Sequence, residues 1–165
     1  MCKPTLMKKR LVQLTVEEIK QMGVTTLLLD VDNTLSTHHS QTPLEGIPSW
    51  LEQMKDAGIQ LFIVSNSNKK RVAPFAQLLD LPYFYLCKKP LPFAILRAIK
   101  HLKVPKRQVM LCGDQIFTDI IAGRFAGIKT LLLEPALVED GWTFRLRRTL
   151  EKPLIRWYRR REKTR

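Results

Sequence analysis

The chain lacks the features that stabilise secreted proteins or carry a chain across a membrane. Its three cysteines, Cys2, Cys87 and Cys112, are odd in number, widely spaced and never arranged as C-x-x-C. That argues against a disulfide framework or a zinc site and suits a reducing compartment. No apolar run approaches the ~18 residues that a membrane span needs. The basic residues Lys3, Lys8, Lys9 and Arg10 are followed by a short mixed segment and then Glu17 and Glu18, which does not read as a signal peptide. Internal repeats and low-complexity tracts are missing too. What remains is one domain of 165 residues, 45% apolar, long enough for a real core but not for two.

Acid is also scarce, but only in places. The net charge is +13, of which residues 1–10 carry +4, residues 145–165 carry +8 and the rest only +1. A nearly neutral body with basic ends points to a polyanionic partner, either membrane phosphate or nucleic acid.

Between those ends, apolar strands and amphipathic helices alternate. Thr15-Val16-Glu17-Glu18 forms a capping box that opens a short helix, with Gly23 placed to end it. Strands are predicted at 24–29, 59–64, 83–86, 108–112 and 129–133. Helices are predicted within 43–57 and at 69–79, 91–102 and 118–126. Pro48 suits a first helical turn and Gly58 a stop, whereas Pro74 has no evident place inside a helix. Five strands in this order imply an α/β fold: a Rossmann-like three-layer sandwich around a mainly parallel sheet, with right-handed crossovers.

The chemistry gathers at the strand ends. Thr26-Leu27-Leu28-Leu29 runs directly into Asp30-Val31-Asp32-Asn33-Thr34-Leu35. Residues two apart in an extended chain share a side, so Asp30 and Asp32 project together at the edge where open α/β sheets bind ligands. Two carboxylates held together repel unless a cation or shared proton relieves them. An Asp-Asn-Thr turn capping the strand is the plainer alternative. The second strand ends at Ser65-Asn66-Ser67-Asn68 and the fourth at Gly113-Asp114, with Asp119 following on a helix start. Asp119 alone is explained equally well by the helix dipole. Lys88-Lys89-Pro90 offers a cation near the same edge, Lys89 being the better fixed because it precedes proline; a solvated surface lysine is its ordinary alternative. Several carboxylates on an apolar floor make a hard oxygen site suited to Mg²⁺.

Taken in order, these motifs resemble those of the haloacid dehalogenase superfamily of phosphohydrolases over residues 24–133. Within it the chain is most similar to the capless YqeG-type branch, which is similar to phosphatidylglycerophosphate phosphatases of mitochondria and plastids. The resemblance implies Asp30 as nucleophile, forming an aspartyl-phosphate, and Asp32 as general acid and base. It implies phosphate contacts from Ser65, Asn66 and Lys89. It also implies a Mg²⁺ site of Asp30, the Asp32 backbone carbonyl, Asp114 and, through water, Asp119. Crowding by Asp30 is expected to favour the protonated form of Asp32. His38 and His39 read as surface residues.

Only 32 residues separate Asp32 from Ser65 and 23 separate Ser65 from Lys89, too few for an inserted cap domain. An open site suits a phosphate presented on something large, with phospholipid the leading expectation. Residues 1–144 are assigned to the phosphatase domain and 145–165 to a basic tail. There Leu146, Leu150, Leu154 and Trp157 fall on one helical stripe opposite Arg148, Lys152 and Arg159, although Pro153 interrupts it. Such a segment resembles a membrane-surface anchor and implies a cytoplasmic, peripheral protein. Packing of that stripe on the domain is the plainer reading, and Arg with Trp and Tyr equally suits RNA. The competing functions are a phosphatase of a soluble metabolite or phosphoprotein, and an RNA- or ribosome-associated binding protein on the same fold.

Overall fold

The reversal of chain direction across the sheet is what places the site. In a computed structural model, which describes residues 3–38 and 40–134, six strands form one parallel sheet in the order β1-β6-β5-β2-β3-β4. They are β1 (Leu6–Lys8), β2 (Thr26–Leu29), β3 (Gln60–Val64), β4 (Tyr83–Phe84), β5 (Val109–Gly113) and β6 (Lys129–Leu133). From β2 the chain steps outward to β3 and β4, then returns to the far side of β2 for β5 and β6. Right-handed crossovers then require the helices of the two halves to lie on opposite faces.

They do. Leu27, Leu29, Leu61 and Ile63 pack in one core with residues of α1 (Val16–Gln21), α2 (Ile47–Asp56) and α3 (Lys69–Leu78). Leu28, Phe62, Val109 and Leu111 face a second core built on α4 (Phe93–Leu102) and α5 (Ile121–Ala126). Alternation along each strand therefore feeds two cores, and β2 is buried at every position, as a central parallel strand must be. The three-layer sandwich expected from the sequence is present.

Several local expectations hold for their stated reasons. Thr15 accepts from the Glu18 amide and Glu18 from the Thr15 amide, satisfying two otherwise orphaned donors. Pro48 sits in the first turn of α2. Pro74 lies inside α3, so the helix tolerates it despite the lost hydrogen bond.

Three boundaries differ. The sheet has six strands rather than five, because β1 pairs with β6; three half-buried residues beside a basic run carry no readable periodicity. The third predicted strand stops at Phe84, since Leu86 takes a left-handed φ of 49°. The helix expected from residue 118 begins earlier, as a π-helical turn over Ile116–Ile120 before α5. The intervals before Ser65 and Lys89 are filled by α2 and β3, then α3 and β4, so no cap is inserted there. No helix among the described residues is long and apolar enough to cross a membrane.

Candidate active site

The switch in strand order falls between β2 and β5, and Asp30 and Asp114 follow those two strands. Ligands of open α/β sheets bind in this crevice. The Asp30 amide still donates to the Cys112 carbonyl at 3.0 Å, continuing the ladder. The chain then folds sharply: the amides of Thr34, Leu35 and Ser36 all donate to the Val31 carbonyl, with Asn33 at a φ of 60°. The Asp-Asn-Thr turn therefore exists, but backbone groups make it. Both aspartate side chains are left for other work.

Asp30 belongs to a buried charge cluster. Lys89 Nζ lies 2.9 Å from Asp30 Oδ1 and 2.6 Å from Asp119 Oδ1. One ammonium thus serves two carboxylates. Oxygens of Asp30, Asp114 and Asp119 lie within 4.8 Å of one another, and all three residues are buried. Burial, the largest influence, together with Asp119 and Asp32 outweighs Lys89 and raises the Asp30 pKa from 3.8 to about 6. Burial opposes the charge on Lys89, but Asp119 and Asp30 prevail and hold its ammonium above the usual lysine range. Three clustered acids, two of them sharing one lysine, form an all-oxygen donor set that fits a hard divalent cation such as Mg²⁺. Gly113 allows this approach: a Cβ there would overlap the Asp119 carboxyl group.

Asp32 has a different environment. Its Oδ1 accepts from Arg71 Nε at 3.2 Å and Nη2 at 2.9 Å, while Oδ2 accepts from Ser67 Oγ at 2.8 Å. Arg71 Nη2 also donates to Ser36 Oγ at 2.6 Å, and its guanidinium stacks 5.2 Å from the Phe75 ring centre. Arg71 thus serves Asp32 alone among the four aspartates in these contacts, whereas Asp30 shares its ammonium with Asp119. The Asp32 carboxylate lies outside the three-acid group, consistent with assigning only its backbone carbonyl to a metal.

Of the remaining expected residues, Ser65 is buried and its Oγ accepts from the Ser67 amide. Asn66 clamps the lysine loop: its Oδ1 accepts from the Lys89 amide at 2.7 Å and its Nδ2 donates to the Lys89 carbonyl at 3.0 Å. Lys89, not Lys88, reaches the cluster, since Lys88 is exposed with a φ of 54°. His38 is exposed, as expected, and its Nδ1 stands 3.8 Å from Asp32 Oδ1. His39 lies outside the described residues, as does the tail. A cavity of about 360 Å³ beside Asn33 and Thr34 is lined by Glu45 and Glu134 but by none of Asp30, Asp32, Asp114 and Asp119.

Arg71 was missed by the sequence reading. The signal was an arginine four residues before Phe75, on the buried stripe of an amphipathic helix, where a cation needs a partner.

The haloacid dehalogenase-like hydrolase profile matches residues 3–127. The chain belongs to that family. It is 33% identical over 147 residues to a probable phosphatase, YqeG, of Bacillus subtilis (strain 168), covering 89% of this chain and 86% of the relative. It is 29% identical over 156 residues to phosphatidylglycerophosphate phosphatase 1, chloroplastic/mitochondrial, of Arabidopsis thaliana, covering 87% of this chain but 44% of that one. A hydrolase from Streptococcus pneumoniae TIGR4 shares the fold at a TM-score of 0.58 and 15% identity, covering 78% of this chain and 99% of that chain. The chain is thus a phosphatase of the haloacid dehalogenase type, as its motif order implied.

Proposed function

We propose that the protein hydrolyses a phosphomonoester through an aspartyl-phosphate on Asp30, and that its substrate is phosphatidylglycerophosphate at a membrane surface. The observation that carries the chemistry is the single ammonium of Lys89 shared by Asp30 and Asp119, with Asp114 adjacent. Asp30, Asp114 and Asp119, with the Asp32 carbonyl, would hold Mg²⁺, which when bound offsets the repulsion between a carboxylate nucleophile and an anionic phosphate.

The chain's own groups perform the rest. An oxygen of Asp30 forms a bond to phosphorus as the bond to the leaving alcohol breaks. Lys89 balances charge on the attacking side. The leaving oxygen takes a proton from Asp32. Water then attacks phosphorus, passes its proton to Asp32 and displaces Asp30, releasing phosphate. Each carboxylate oxygen has two lone pairs. Arg71 uses both on Oδ1, whereas Ser67 uses one on Oδ2. The shuttled proton therefore belongs on Asp32 Oδ2, and Arg71 is a positioning residue that fixes the carboxylate plane. Ser65 and the backbone at Asn66 would donate hydrogen bonds to the transferring phosphoryl oxygens.

The substrate reading draws on the Arabidopsis relative's name, on the missing cap between the motifs, and on the basic ends. Phosphate release from phosphatidylglycerophosphate in anionic vesicles tests it. Activity on small sugar phosphates with none on that lipid would end the lipid assignment while leaving the chemistry intact.

A further inference from the structure

Exposed apolar side chains are ordinary when scattered, but here they are not scattered. Six large ones stand out among the described residues, and four lie within residues 85–93: Tyr85 at 39% exposure, Leu86 at 55%, Leu91 at 48% and Phe93 at 71%. This is the segment that delivers Lys89 to Asp30. Its backbone is pinned to the catalytic edge, since the Leu86 amide donates to the Ser67 carbonyl and the Cys87 amide to the Ser65 carbonyl. A Lys88-to-Leu91 turn then carries the chain into α4.

The backbone is also strained in the outward sense. Leu86 and Lys88 adopt φ values of 49° and 54°, a left-handed region that leucine and lysine rarely occupy. Their neighbours Cys87 and Lys89 are buried while they themselves are exposed. The fold accepts this conformation and still leaves Leu86 55% exposed.

Charge specifies the partner. Between residues 66 and 97 the only acid is Asp80, which precedes β4 and so lies at the opposite end of that strand from Tyr85. Exposed Lys69 and Lys70 open α3 on the catalytic edge, and Lys88 projects from the segment itself. Exposed apolar side chains and an aromatic hydroxyl on the edge that also carries three exposed lysines match the boundary of an anionic bilayer, where alkyl groups enter the acyl region and ammonium groups meet phosphate.

We propose that residues 85–93 form an interfacial docking surface for an anionic lipid bilayer, seating the carboxylate cluster at headgroup level. The proposal rests on the lipid-substrate reading for its purpose, but its evidence is the surface itself. Docking through this segment leaves Lys89 between Leu86 and Leu91, so the phosphate need not leave the headgroup layer to reach Asp30.

Vesicle flotation of the full chain tests it, using phosphatidylglycerol–phosphatidylcholine vesicles against phosphatidylcholine alone. The triple variant Leu86→Asn, Leu91→Ser, Phe93→Ser should bind anionic vesicles at least about tenfold more weakly, with turnover of soluble para-nitrophenyl phosphate within about twofold of the unaltered chain. Replacing Lys69, Lys70 and Lys88 by Gln should weaken binding severalfold and flatten its salt dependence. Undiminished flotation of the triple variant would overturn the proposal, because the membrane would then be held elsewhere. So would a dimer of the unaltered chain that the triple variant converts to monomer, since the surface would belong to a second copy. Patch-dependent flotation without hydrolysis of phosphatidylglycerophosphate would retain the docking surface and reject the substrate.

Discussion

Asp30 and Asp32 stand two residues apart on one chain, both buried, yet they meet opposite electrostatic fates. Asp30 shares the Lys89 ammonium with Asp119 and lies in a group of three acids. Asp32 receives two hydrogen bonds from Arg71 and one from Ser67. The first arrangement is under-compensated and suits an incoming cation and a phosphate. The second is locally balanced and suits a group that must return unchanged after each proton transfer. Proximity along the chain therefore does not decide a carboxylate's role; the cation delivered by another element does.

Substitutions that separate the two environments sharpen this contrast. Asp30→Asn removes the proposed nucleophile, and phosphate release should fall by on the order of 10³-fold or more in a steady-state assay. Asp32→Asn should also slow turnover, but with para-nitrophenyl phosphate, whose leaving group needs no proton, the first bond-forming step remains available, so phosphorylated protein should build up and be visible by mass spectrometry. Lys89→Met leaves two buried carboxylates without their shared ammonium, and denaturant titration without divalent cations should show a loss of about 3–5 kcal/mol.

The same pair should respond to pH in a way that only one member explains. The Asp30 pKa in the fold, about 6, exceeds its ordinary 3.8, so the folded state keeps a proton that the unfolded chain has released. Without divalent cations, the contribution of Asp30 to stability should therefore be fully present below about pH 4 and be lost, by roughly 3 kcal/mol, as pH rises to about 6. Asp30→Asn should remove that decline. If it persists in the variant, the crowding has been placed on the wrong acid. Gly113→Ala, which pushes a methyl group into the Asp119 carboxyl, should cost about 1–3 kcal/mol, and loss of the Thr15 cap in Thr15→Ala about 1 kcal/mol.

Much of this was legible in the chain because local rules act on single elements. Continuous apolar runs and short polar breaks marked the central strands, and the Thr15–Glu18 box marked a helix start. Parallel strands bring their carboxyl ends to one edge, so Asp30, Asp114 and Lys89 could be grouped before any coordinates existed. Three things were not legible for physical reasons. β1 is an edge strand of three residues that exists only because β6 offers a ladder. The exposure of Leu86 depends on a left-handed φ that leucine's preferences argue against. Arg71 reaches Asp32 from 39 residues away, and only the docking of α3 against the strand ends makes that contact.

The account stands on Asp30 being the phosphorylated residue. Borohydride reduction of the protein quenched during turnover, followed by peptide mass spectrometry, should place the reduced aspartyl-phosphate at residue 30, with a stronger signal in Asp32→Asn. A reduced residue at position 32, or full turnover with no label on any carboxylate, would contradict it.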